Sequence, residues 1–165
     1  MNKPKFVYVT YIATTPEKLW QALTDPEFTR QYWSGRCLES DWRPGSRFVN
    51  WCDAAHGDLD FAGTVLESDP PRRLVYTFGE QWGEWVRGSV HKEVVNEPPS
   101  RVTYTLEPAG TPESPVVKLT VIHDELDERG QTFKSISNGW PAILSNLKSL
   151  LEVGHSLEID EKGCH

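Results

Sequence analysis

Sulfur is scarce in this chain: 165 residues carry three cysteines and one methionine. Cys37, Cys52 and Cys164 are odd in number and irregular in spacing, which excludes a disulfide framework and suits reduced thiols. Metal-ligand spacing is missing too. No His-x-x-x-His or Cys-x-x-Cys pair links His56, His91, His123 or His155 to a thiol or to one another, so no metal is expected. The chain also has no nucleophile elbow, phosphate-cradling glycine loop or dinucleotide fingerprint, so no cofactor is expected and no catalytic residue is assigned. Positive charge is in deficit, with 17 Lys and Arg against 24 Asp and Glu and a net charge of -7. Such a surface repels a phosphate backbone, which argues against a nucleic-acid partner. No apolar run is long enough to span a bilayer, and Phe6-Val7-Tyr8-Val9 near the start reads as a strand rather than as a signal peptide, so the expected location is cytoplasmic, with no membrane partner. His123-Asp124-Glu125-Leu126 spells a retrieval tag that is read only at a C-terminus, and it carries no meaning inside the chain.

What the sequence has in excess is tryptophan, seven residues in all. Large flat side chains fill cores, and they also line cavities in which one N–H orients a small molecule. Local order is well signalled. Thr15-Pro16 and Asp25-Pro26 each place a capping oxygen before a proline at the first helical position, predicting two short helices in succession. Leu19, Trp20 and Leu23 share a side of the first; Phe28, Tyr32 and Trp33 share a side of the second, which Gly35 ends.

Turn signals then punctuate a run of strands. Arg43-Pro44-Gly45 precedes Ser46–Trp51, and Leu59–Glu67 follows across a loop containing His56-Gly57. Asp69-Pro70-Pro71 introduces Arg72–Phe78, where Leu74, Tyr76 and Phe78 alternate with more polar residues. Arg101–Glu107 and Val116–His123 form a hairpin with Val102, Tyr104, Leu106, Val117, Leu119, Val121 and His123 inward. The stretch from Gly79 to Glu97 has no clear period and is left as an extra strand or a lid. From Gln131 the period changes to three and four: Phe133, Ile136, Trp140, Ile143, Leu144, Leu147, Leu150 and Leu151 form the stripe of one long helix ending before Gly154. Pro141 predicts a kink or a fresh start near Trp140. Residues 1–154 are expected to be a single domain, with 155–165 a loosely ordered tail.

Strand, two short helices, antiparallel strands and a final long helix form an α+β order in which a curved sheet can wrap the last helix and leave an apolar gap. Ile12-Ala13, Thr15–Pro26, Trp33, Gly63-Thr64-Val65-Leu66-Glu67, Pro70–Leu74 and Gly139-Trp140-Pro141 with Leu144, Leu147 and Leu151 resemble the bacterial branch of the Activator of Hsp90 ATPase homologue 1-like family. That family belongs to the START-like (SRPBCC) superfamily. The resemblance runs from about residue 6 to residue 153. It implies the helix-grip fold, with a hydrophobic cavity between sheet and C-terminal helix that different members use for lipids, hormones or polyketides, and a few for cyclisation or dehydration. In the eukaryotic namesake, which stimulates the Hsp90 ATPase, the module accompanies a separate N-terminal domain.

The expected function is therefore to hold a small, largely hydrophobic molecule. Tyr76, Phe78, Tyr104 and Trp140 are the candidate aromatic wall and His123 a polar contact, with Trp33, Phe48, Phe61, Trp85 and Ile136 completing the lining. Two alternatives stay open: a cyclase- or hydratase-type enzyme using His123 with a nearby carboxylate in the same cavity, and a protein that contacts an Hsp90-type chaperone. A homodimer also stays open.

Overall fold

The computed structural model describes residues 3–52, 59–88 and 92–159, with the side chains of Cys52 and Trp85 outside that description. Strand β1 (Phe6–Ile12) leads into helices α1 (Pro16–Thr24) and α2 (Pro26–Tyr32), and the strands β2 (Arg36–Glu39), β3 (Arg47–Cys52), β4 (Leu59–Asp69) and β5 (Arg73–Phe78) follow. Then come β6 (Gln81–Trp82), α3 (Glu84–Arg87), a 3₁₀ turn (Lys92–Asn96), β7 (Ser100–Pro108), β8 (Val117–Asp124) and α4 (Gln131–Val153). The strands form one antiparallel sheet in the order β1-β8-β7-β5-β4-β3-β2, with β6 paired to β4.

Both short helices start as their sequences dictate. The Thr15 hydroxyl accepts from Lys18 N at 3.3 Å, and the Asp25 carboxylate accepts from Glu27 N at 2.9 Å, each ahead of a proline that lacks a donor to satisfy. After Tyr32 the chain turns through Ser34 and Gly35, both at positive φ, and enters β2, an element the sequence did not announce.

The sheet curls because its ladder is interrupted at two places, between Asn50 and Trp51 against β4 and between Val65 and Glu67 against β5. Gly63 lies between these irregularities. A Cβ there would sit 2.2 Å from Thr77 O and 2.6 Å from the Phe48 ring, so only glycine lets β3, β4 and β5 pack this closely. The curl turns one face inward. That face carries Phe48, Phe61, Val65, Leu74, Tyr76, Val102, Tyr104, Leu119 and Val121, all buried.

Helix α4 buries Ile136, Trp140, Leu144, Leu147 and Leu150 within the same core. It stays one helix across Pro141, which corrects the expectation of a fresh start near Trp140; the lost donor costs one bond, and the buried stripe on both sides holds the element together. The N-terminus of α4 has no capping side chain of its own. Glu97, from just beyond the 3₁₀ turn, supplies its carboxylate to Gln131 N and Thr132 N and so fastens that turn to the helix. The far end is clipped to the sheet by Glu152, which accepts from Ala13 N at 2.8 Å and from Lys148 Nζ at 2.6 Å. Residues 155–157 bond back onto α4, Ser149 Oγ donating to His155 O and Leu157 N to Asn146 Oδ1. Residues 160–165, the rest of the expected tail, lie outside the described residues. Among the described residues no helix is long and apolar enough to cross a membrane.

Candidate functional site: an aromatic ring under the last helix

The inward alternation of five strands and the stripe of α4 bring seven rings into a closed circuit. Trp140 meets Tyr104 at 6.0 Å between centroids, Tyr104 meets Tyr76 at 5.9 Å, and Tyr76 meets Phe48 at 4.5 Å. Phe48 then meets Phe61 at 6.0 Å, Phe61 meets Phe78 at 4.3 Å, and Phe78 meets His123 at 4.9 Å. His123 returns to Trp140 at 6.2 Å. Val102 stands in register between Tyr76 and His123. Trp33, just past α2, touches Trp140 edge-on at 5.3 Å, and Ile136 is buried one turn before Trp140 on α4. Of the ten residues expected from the sequence to line a site, nine are thus placed in or beside one cluster; the side chain of Trp85 lies outside the described residues.

His123 is the best-defined polar group in the circuit. The Trp140 indole Nε1–H donates to His123 Nδ1 at 3.0 Å. An indole N–H can only donate, so Nδ1 must accept and the ring proton resides on Nε2. Nε2–H then donates to Ser100 Oγ at 2.7 Å, and the Ser100 hydroxyl points on to Phe78 O at 3.5 Å. Burial pushes the imidazole down from 6.5 to about 3, with the Asp124 charge opposing only weakly. Both ring nitrogens of His123 are thus bonded inside the protein. The adjacent Asp124 carboxylate takes two bonds from Arg101, at 2.9 Å and 2.6 Å.

The tyrosines are held in the same way. Tyr76 and Tyr104 hydroxyls meet at 3.1 Å, and the Tyr32 hydroxyl donates to Ala22 O at 2.8 Å. Burial raises the pKa of all three, so they remain protonated hydrogen-bonding groups at neutral pH.

Sequence reasoning missed the polar groups at the other end of the inward face. Asn50 is fully buried, and among the described residues neither its carbonyl oxygen nor its amide nitrogen is bonded; Asp60 Oδ1 and Trp82 Nε1 are buried without partners there as well. An unpaired buried polar group costs about 1–3 kcal/mol. The signal was available at Asn50, which has the parity of Phe48 in its strand. Trp82 is set by the turn before it: Gly79 at φ +84 lies under the indole, and Glu80 accepts from the hydroxyls of Thr77 at 2.6 Å and Thr64 at 3.0 Å.

Among the described residues no group of three or more His, Cys, Asp or Glu converges as metal ligands. Cys37 is a buried free thiol, while the Cys52 side chain and Cys164 lie outside the described residues. An open depression on the outer face, lined by Glu67, Arg73, Val75, Arg101, Thr103 and Asp124, has its arginines already paired with Glu67 and Asp124.

A curled antiparallel sheet closed over a long C-terminal helix, with two short helices after the first strand, defines the helix-grip class. The family model described as Activator of Hsp90 ATPase homolog 1-like protein matches residues 13–152, and the chain belongs to that family. Among solved structures, the chain is similar to protein MLL2253 from Mesorhizobium loti, at 26% identity and a TM-score of 0.61 over 90% of this chain and 96% of that one. It is similar to the Aha1 dimer from Colwellia psychrerythraea, at 18% identity and a TM-score of 0.63 over 92% of this chain and 98% of that one. PFC0360w, an HSP90 activator from Plasmodium falciparum, aligns at 20% identity with a TM-score of 0.65 over 89% of this chain and 95% of that one. No curated protein matches the chain in sequence.

Proposed function

We propose that the protein holds a small, largely apolar molecule between the inward face of the sheet and α4. The carrying observation is the closed aromatic circuit, which brings flat ring surfaces from β3, β4, β5, β7, β8 and α4 around one interior region. Such surfaces bind flat apolar guests by dispersion and area burial, with edge-to-face contacts adding orientation. Membership of a helix-grip family, in which a sheet–helix interior commonly takes hydrophobic ligands, supports the reading. Phe78 and Trp82, which meet edge-on, are both half-buried, and they mark the side from which a guest enters. The test is a titration of lipids, flavonoids and polyketides followed by tryptophan emission, in the wild type and in Phe78→Ala. Saturable binding that weakens at least tenfold in the variant supports the proposal. No saturable binding by any compound, or binding indifferent to Phe78, overturns it.

A second reading, contact with an Hsp90-type chaperone, is favoured by one feature of the outer surface. Val7, Val9 and Tyr11 stand on the outward side of the edge strand β1 and are each about half exposed, at 47%, 46% and 53%. The relative from Plasmodium falciparum is described as an HSP90 activator. Stimulation of a bacterial Hsp90 ATPase that is lost in Val9→Asp supports this reading, and absence of stimulation counts against it.

A further inference from the structure

The inward face is not uniformly apolar. In register across four strands lie Leu38, Asn50, Phe61 and Trp82, cross-strand partners in turn and therefore on one face of the sheet. Asn50 and Trp82 flank Phe61, about 10 Å apart at two strand spacings. Arg36 shares the face of Leu38, two residues away, and its ion pair with Asp60 brings that carboxylate to the same place. Asp60 is the extra residue where the register shifts, opposite no residue of β3. Four polar groups thus gather at the β2–β3–β4–β6 end of the interior, and three of them keep hydrogen-bonding capacity that nothing among the described residues uses.

A core built only for packing would place an apolar side chain at position 50, as it does at Leu38 and Phe48 on either side. The amide instead holds one acceptor and two donors unused at 0% exposure. Resting on the proposed interior guest site, we infer that Asn50 and the Trp82 indole N–H form its polar pole, which takes a guest with a neutral hydroxyl or hydroxy-carbonyl end on a flat apolar body. The body lies against Phe61, Phe48 and Phe78. The hydroxyl end meets an amide that can both accept and donate, while the indole N–H donates to an oxygen on the other side of Phe61. Asp60 Oδ1 accepts from a second guest hydroxyl. The guest end is neutral because the Asp60 charge is already matched by Arg36, whose Nε donates to Asp60 Oδ2. A carboxylate or an ammonium would enter without a counter-charge and would be excluded by desolvation.

The test uses two isosteric probes, 2-naphthol and 2-methylnaphthalene, which share the apolar body and differ only in the hydroxyl. Binding is followed by proton–nitrogen NMR at the Asn50 side-chain amide and the Trp82 indole, in the wild type and in Asn50→Leu. The expected result is at least tenfold tighter binding of 2-naphthol by the wild type, with both signals shifting. In Asn50→Leu the preference falls to about twofold or less. A separate readout excludes a purely structural amide: Asn50→Leu without probe should raise the urea midpoint, since an unused buried polar group is removed. Equal binding of both probes by the wild type, or a preference that survives Asn50→Leu, overturns the polar pole alone and leaves the apolar site standing. Failure of both probes to bind overturns the pole together with the site. A lowered urea midpoint in Asn50→Leu also counts against it, because the amide would then be supporting the fold.

Discussion

The bonded state of His123 sets how stability responds to acid. In the folded protein burial holds the imidazole at about 3, whereas the unfolded chain restores its ordinary 6.5. Between those values the unfolded state binds a proton that the folded state refuses, so stability falls as pH falls. Each unit of separation is worth about 1.4 kcal/mol. Going from pH 7 to pH 5 therefore removes about 2 kcal/mol through this one group, and the loss levels off near about 5 kcal/mol once the folded imidazole itself protonates. Carboxylates add their own acid response, so the His123 share is isolated by comparison with His123→Phe, which keeps a ring and has nothing to titrate there. That variant is less stable at pH 7, by about 2–4 kcal/mol, because Trp140 Nε1–H and the Ser100 hydroxyl lose a partner. The measurement is urea unfolding of both proteins at pH 7 and pH 5. The gap between them should close by about 2 kcal/mol at the lower pH. A gap that does not change with pH refutes the reasoning, as does an imidazole nitrogen resonance that titrates near pH 6.5 in the folded protein.

Other perturbations follow from the same contacts. Trp140→Phe keeps the ring but removes the indole donor, leaving His123 Nδ1 buried and unpaired; it should cost about 1–3 kcal/mol by chemical unfolding, and the Nε2–H proton signal of His123 should lose protection from exchange. Gly63→Ala drives a methyl against Thr77 O and the Phe48 ring, and with backbone on one side it should cost more than about 2 kcal/mol and lower the melting temperature. Glu97→Ala uncaps α4 from a distance, at about 1–2 kcal/mol, with amide exchange rising first at Gln131 and Thr132.

Much of the fold was legible because its signals are local. Thr15-Pro16 and Asp25-Pro26 write their own helix starts, the parity of Leu74, Tyr76 and Phe78 writes an inward face, and the three-and-four spacing from Phe133 to Leu151 writes α4. What was not legible depends on partners distant in sequence. β2 is four residues, Arg36–Glu39, with no alternation of its own, and exists because β3 and α2 lie beside it. The described residues of the 79–97 stretch resisted phasing because they form short pieces, β6, α3 and the 3₁₀ turn, placed by β4 and by the start of α4 rather than by a period. Proline at 141 reads as a breaker from local rules, yet burial of the stripe on both sides outweighs one missing bond.

The candidate site divides along the same line. Parity and the helix stripe found the aromatic members, since inward position is a local property of strands and helices. The partners of His123 were not legible, because Trp140 and Ser100, 17 and 23 residues away, supply them. Asn50 was overlooked although it sits at an inward position in β3, and the Arg36–Asp60 pair joins residues 24 apart.

Where a guest lies is the most direct measure of the proposed interior site. Intermolecular nuclear Overhauser contacts from bound 2-methylnaphthalene should reach the rings of Phe61, Phe78 and Trp140 together, placing it between sheet and helix. Contacts confined to the outer face, at Val75 and Ile122, or no contacts at saturating probe, would contradict it.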